Sequence, residues 1–155
     1  MTGTDVLTAA LERAGVGYEV LEHAPTDRAA DEAKALGLDP SEVAKTIVVT
    51  TGEQSFRVLL PAADRLDMHK LRDVLEAGKE LHLLSEEALR KEYPEFELGA
   101  VPPLGGRDDS VVVDRRVAEH ERIVFEAGAH DRSVRVVASD LVAATGARVA
   151  DVCDD

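Results

Sequence analysis

Two stretches of the sequence hold residue types that could do chemistry together. One is "LGAVPPLGGRDDS" over residues 98–110, where two adjacent prolines stand between glycines. Pro102 and Pro103 fix their own φ and offer no N–H, so they contribute stiffness. Donors must come from the amides of Gly99, Ala100, Val101, Leu104, Gly105 and Gly106, and glycine lets backbone come close to a ligand. A rigid loop with free amides on both sides can hold a carbonyl oxygen or an oxyanion. The other stretch is "KTIVVTT", in which Lys45 opens an otherwise apolar run. A lysine at the mouth of a core strand can reach a pocket, and its pKa shifts readily on burial. Taken alone, each feature has an ordinary alternative: a Pro/Gly surface turn, and a lysine whose head snorkels to water. Thr46, next to Lys45, should face the other side of the pleat.

The remaining reactive types are sparse. Histidines stand at 23, 69, 82, 120 and 130, with no pair at metal-ligating spacing. The lone Cys153 sits among carboxylates in "DVCDD", a setting that disfavours the thiolate. No metal or cofactor is therefore expected. His130, in "GAHDRS", falls in a turn between two strands, from which a polar side chain can enter a cleft. No nucleophile elbow, phosphate loop or dinucleotide fingerprint is present. The acid runs "DRAADEA" and "SEEALRKE" read as solvated helix faces.

The elements that must position these residues are short. "TDVLTAALERAG" is an amphipathic helix stopped by Gly15, and "GYEVLEH" is a strand ending at His23. A second helix is expected over 25–37 with Thr26 as N-cap and Gly37 as stop, followed by a capped turn at "DPSEVAK". "KTIVVTT" and "SFRVLLP" form a hairpin across "GEQ". A helix capped by Asp67, the short strand "ELHLL" and a helix capped by Ser85 lead to the proline loop. "SVVVD", "RIVFEAG" and "SVRVVAS" are strands, and "SDLVAATG" a last helical turn or two. About seven strands interleave with about five helices, and two of the strand pairs are antiparallel hairpins. The pattern predicts an α+β fold: one domain over 1–155 with a twisted, mixed, largely antiparallel sheet flanked by helices.

The chain has 155 residues, enough for one real core. Hydrophobic residues make up 45%, which excludes disorder by composition. No apolar run approaches a membrane span, no signal peptide is evident, and one cysteine excludes a disulfide framework, so a cytoplasmic protein is expected. The net charge of −13, from 18 basic and 31 acidic residues, excludes broad non-specific nucleic-acid binding. It leaves room for a small contact with an RNA end. At 3%, aromatics are too few for a base-stacking platform.

Taken in order, "EVLEHAPT", "VAKTIVV", "RVLLPAADRLDMHKL", "LGAVPPLG", "SVVVD" and "EAGAHDRSVRVVASDL" resemble the YbaK/EbsC family, free-standing relatives of the prolyl-tRNA synthetase editing domain. The resemblance runs from about Leu11 to Leu141. Its sharpest marks are Lys45 and the G-x-x-P-P loop, Gly99 to Pro103. It implies hydrolysis, in trans, of the ester joining a mischarged alanine, cysteine, serine or threonine to a tRNA 3′ end, often tRNA for proline. It implies Lys45, Gly99 and His130 as catalytic residues. Substrate contacts would come from His23, Thr46, Ala100, Val101, Pro102 and Pro103. In some alanine-editing relatives asparagine follows the lysine; here it is Thr46, a difference that bears on amino-acid specificity. Lys45 would supply positive charge, loop amides near Gly99 and Ala100 would hold the carbonyl oxygen, and His130 would orient a water. Two other readings remain: a binding module for an aminoacyl end or a synthetase partner, and a hydrolase of free esters or nucleotides. Arg107, Arg115, Arg116, Arg132 and Arg135 are expected to form a patch beside the pocket that contacts acceptor-stem phosphates.

Overall fold

A computed structural model of the chain describes residues 1–26 and 28–155. Helix α1 (Gly3–Arg13) is closed by a capping box, with Thr2 Oγ1 accepting from the Asp5 amide and Asp5 accepting from the Thr2 amide. Strand β1 (Tyr18–Glu22) follows. Helix α2 (Ala29–Leu36) begins later than expected and ends at Gly37 with φ +69°. Part of the expected 25–37 helix falls on Asp27, which lies outside the described residues. The N-cap is Arg28, not Thr26, and it makes no side-chain cap bond. The Thr26 amide instead donates to the carbonyl of His130 at 3.0 Å, which ties this segment to a neighbouring turn.

A 3₁₀ turn at Pro40–Glu42, capped by the Asp39 carboxylate, leads into β2 (Ala44–Thr50) and its hairpin partner β3 (Ser55–Pro61). Then come α3 (Met68–Leu75) with Asp67 as cap, β4 (His82–Leu83), and α4 (Glu86–Glu92) with Ser85 as cap. After the proline loop lie β5 (Ser110–Asp114), α5 (Arg115–Ala118), β6 (Arg122–Ala129), β7 (Arg132–Val137), α6 (Ala138–Thr145) and β8 (Arg148–Ala150). Two of these were not expected. Helix α5 has four residues, and β8 has three, too short to show any period.

The α+β class holds, with the strands divided between two sheets. One has order β1-β7-β6 and is antiparallel. The other has order β4-β2-β3-β5-β8, antiparallel on the β2 side and parallel from β3 through β5 to β8. Strand β5 explains itself. Val111 and Val113 enter a core with Leu7, Leu11, Phe125 and Leu141, while Val112 enters a second core with Val58, Leu60, Leu71 and Leu81. A run of β-branched residues with both faces covered is what a central parallel strand needs. Among the described residues the two sheets are joined by the parallel bridge of Val43 to Val124. Among the described residues no helix is long and apolar enough to cross a membrane.

Candidate active site

At that meeting point lies a cavity of about 510 Å³, bordered by Ala44 to Ile47 of β2, Ala62 and Ala63, Gly99 to Val101, Phe125 and Glu126 of β6, and Arg28 and Glu32. Lys45, Thr46, Gly99, Ala100 and Val101 are thus brought together. Thr46 borders the cavity alongside Lys45, against the pleat expectation, because the whole start of β2 forms the cavity mouth. Pro102, Pro103, His130 and His23 do not line it.

The Lys45 ammonium makes no hydrogen bond or ion pair among the described residues. Burial pulls its pKa below the ordinary lysine value, against the opposing pull of Asp64. An ammonium left without a partner at a cavity wall is available to an anionic or strongly dipolar ligand. The hydroxyl of Thr46 is buried and also lacks a hydrogen-bond partner among the described residues.

The proline loop is laced to β6. Glu97 N donates to Gly128 O at 2.9 Å, Gly128 N to Ala100 O at 3.0 Å, and Ala100 N to Glu97 O at 3.0 Å. The Ala100 amide is therefore committed and cannot serve as the expected donor. The amides of Gly99 and Val101 carry no intramolecular hydrogen bond among the described residues. Gly99 has φ +85°, and an added Cβ would stand 3.4 Å from the His130 ring. The backbone sign calls for glycine here, and the imidazole stands at van der Waals distance from where a side chain would begin.

His130 lies one layer behind the loop. Its Nε2 is 2.7 Å from Leu98 O and its Nδ1 is 2.8 Å from Glu126 Oε2. Burial works against its charged form, but the Leu98 carbonyl and the carboxylates of Glu126 and Glu97 outweigh it, so its pKa is raised. His130 thus braces Gly99 and Glu126 rather than facing the cavity.

Sequence reasoning missed two further residues. Arg57, wholly buried on β3, clamps the far side of the loop. It donates to the carbonyls of Pro102 (2.9 Å), Gly105 (2.6 Å) and Arg107 (3.2 Å) and pairs with Asp109 at 3.0 Å. Tyr93 packs its ring against Arg57 and donates to Asp109. The only available signal was an arginine inside the apolar run "SFRVLLP". The second is Glu32, in the run "DRAADEA" expected to be solvated. It is fully buried, because it shares the inward face of α2 with Ala33. Its Oε2 is bonded to the hydroxyl of Ser133, whose oxygen is 2.8 Å from His23 Nε2.

The expected arginine patch does not form. Arg107 pairs with Glu92 and Asp109, Arg115 and Arg116 with Asp151, Arg132 with Glu22 and Asp131, and Arg135 with Glu19. They are divided among the proline loop, α5 and β7, and none is among the residues that border the cavity; the acids Glu32 and Glu126 are. Each guanidinium took the nearest carboxylate of an acid-rich chain. Cys153 is buried, and burial followed by Asp114 pushes its thiol up to about 12, so it is no nucleophile at neutral pH.

The mixed-sheet α+β fold thus holds a cavity between Lys45 and the glycine-proline loop. The chain belongs to the aminoacyl-tRNA editing domain family, which matches residues 23–144. This agrees with the family expected from the motifs. Among solved structures it is similar to a candidate trans-editing enzyme for prolyl-tRNA synthetase, at 24% identity and TM-score 0.87, covering 100% of this chain and 99% of that one. It is also similar to the hypothetical protein APE2540, at 25% identity and TM-score 0.86, covering 95% of this chain and 98% of that one. These likenesses establish the fold.

Proposed function

We propose that the protein is a trans-acting deacylase in the cytoplasm. It hydrolyses the ester of a mischarged small amino acid, of the alanine, cysteine, serine or threonine class, on the 3′ end of a tRNA, with tRNA for proline as the first candidate. The observation that carries this reading is the shared cavity, in which unpaired Lys45 and the uncommitted amides of Gly99 and Val101 border one space. The family membership and the description of the 24%-identical neighbour support it.

The ester is already activated, so positioning a water and stabilising the tetrahedral oxyanion suffice. Gly99 and Val101 donate to the carbonyl oxygen as it gains charge. Lys45 holds the phosphate or ribose end of the terminal nucleotide, or adds positive charge at the ester. Pro102 and Pro103 keep the loop stiff, and the Thr46 hydroxyl meets the aminoacyl group. His130 acts through Gly99 and Glu126 as a positioning residue. Ala44, Ala62, Ala63 and Ala100 line the cavity with Phe125, and discrimination among amino acids would come from steric fit against these side chains.

A panel of mischarged tRNAs, assayed for release of amino acid, tests the reading. Wild-type protein should deacylate at least one, and Lys45→Ala should lower that rate by about 10²-fold. Equal rates for the two proteins would sink it. The ion-paired arginines and the −13 charge favour one second reading, a binding module that reaches tRNA through a synthetase partner. Such a module binds the aminoacyl end and gives no turnover with excess mischarged tRNA.

A further inference from the structure

Glu32, Ser133 and His23 form a line of hydrogen-bonding groups that starts at the cavity wall and ends on a half-buried imidazole. Glu32 Oε1 has no hydrogen-bond partner among the described residues, although the side chain is wholly buried. A buried carboxyl oxygen at a cavity wall with nothing to bond calls for a polar group from the ligand or its water. The other oxygen, Oε2, is bonded to Ser133, itself fully buried. His23 Nδ1 is 2.8 Å from the carbonyl of Ala24, an acceptor that can only take a hydrogen. Nδ1 therefore carries the hydrogen, and Nε2, 2.8 Å from Ser133 Oγ, presents its lone pair to that hydroxyl.

Two proton arrangements satisfy every member of this line. In the first, neutral Glu32 donates from Oε2 to Ser133, and Ser133 donates to His23 Nε2. In the second, His23 is an imidazolium donating to Ser133, and Ser133 donates to ionised Glu32. The two differ only by hydrogens sliding along existing bonds.

We propose that Glu32 is the catalytic proton acceptor and donor of the deacylation reaction, working through Ser133 with His23 as the terminal base. This rests on the deacylase reading. A water in the cavity adds its oxygen to the ester carbonyl carbon and gives a proton to Glu32 Oε1. The proton on Oε2 passes to Ser133 Oγ, and the Ser133 proton passes to His23 Nε2. The tetrahedral adduct then collapses: the acyl carbon to 3′-oxygen bond breaks, and the three transfers reverse. The leaving oxygen takes its proton from Glu32 Oε1. Water and ester have become carboxylic acid and alcohol, and the line is back in its starting state.

The electrostatics agree with a neutral resting Glu32. Burial first, then the nearby Glu126 carboxylate, push its pKa up to about 8, while Ser133 and His130 pull the other way. Among the described residues, Lys45 and Arg28 are the other charged groups at the cavity.

The test uses the full chain and the tRNA that the wild-type protein deacylates fastest among alanyl-, cysteinyl-, seryl- and threonyl-tRNA for proline. Glu32→Gln should lower kcat by about 10²-fold or more with KM little changed. His23→Ala should lower kcat and regain rate with added imidazole, because a soluble base can take the vacated place beside Ser133. Ser133→Ala cuts the line in the middle and should gain nothing from imidazole. Thermal melts confirm that each variant is folded, and His23→Ala, the least buried, keeps the test decisive if Glu32→Gln is not. A wild-type kcat in folded Glu32→Gln, or a His23→Ala rate that imidazole does not move, overturns the proposal while leaving the deacylase reading intact. A wild-type protein inactive on all four tRNAs overturns the deacylase reading and this assignment with it.

Discussion

Arg57 Nη1 donates to the carbonyl oxygen of Pro102 at 2.9 Å, from a guanidinium with no exposure to solvent. One side chain thus closes three loop carbonyls and the Asp109 carboxylate at once, on the side of the loop away from the cavity. Truncating one partner of a buried ion pair costs about 3–5 kcal/mol, because the remaining charge is left unpaired. Arg57→Met should fall in that range by urea denaturation, since among the described residues Asp109 then keeps Tyr93 and Arg107 as its side-chain partners. An effect below about 1 kcal/mol, the range of surface pairs, would contradict the clamp.

Gly99→Ala should separate site geometry from backbone strain. Gly99 and Gly52 both have positive φ, but an added Cβ meets the His130 ring at Gly99 and open space at Gly52. Each substitution costs about 1–2 kcal/mol for the left-handed backbone. Only Gly99→Ala should also lower deacylation, because strain there turns a loop amide that borders the cavity, with Gly52→Ala as the strained control. Matching deacylation rates in the two variants would contradict this.

Lys45 is half-buried and has no ion-pair partner among the described residues, so burial of its charge works against folding. Lys45→Met is expected to raise stability by about 0.5–2 kcal/mol while removing deacylation, the usual trade between function and stability. A lower melting temperature for the variant would contradict the unpaired state of the ammonium.

Glu32 gives stability a pH dependence of defined sign. Its folded pKa lies near 8, above the ordinary carboxyl value near 4.5. Its contribution is fully present below about pH 4.5 and is lost as pH rises toward 8. Over that window the loss approaches about 1.4 kcal/mol per pH unit. Glu32→Gln carries no such loss. The stability of the variant minus that of the wild type should therefore grow from pH 5 to pH 8 in paired denaturation curves. A constant difference would show that Glu32 is ionised in the folded state.

Much of the fold was legible because its signals are local. The β2–β3 hairpin, the Asp67 and Ser85 caps and the Gly37 stop each follow from a few adjacent residues. The proximity of Lys45 to the proline loop came from the family resemblance; spacing alone does not place β2 beside residues 99–101. The hidden residues share one cause. Glu32 reads as solvent-facing because α2 is short and polar, and only packing against β6 and β7 shows which side is covered. Arg57 reads as an exception within a strand because its partners lie 45 to 52 positions away. The arginine patch failed for the opposite reason: closeness along the chain says nothing about which carboxylate each guanidinium meets.

The pairing of those arginines fixes the sign of the molecule's far field. With net charge −13 and its C-terminal guanidinium groups tied to carboxylates, the protein repels a polyanion before any contact is made. Dissolved salt shortens the reach of that repulsion. The first encounter with RNA should therefore quicken as ionic strength rises, the reverse of what a basic RNA-binding surface would show.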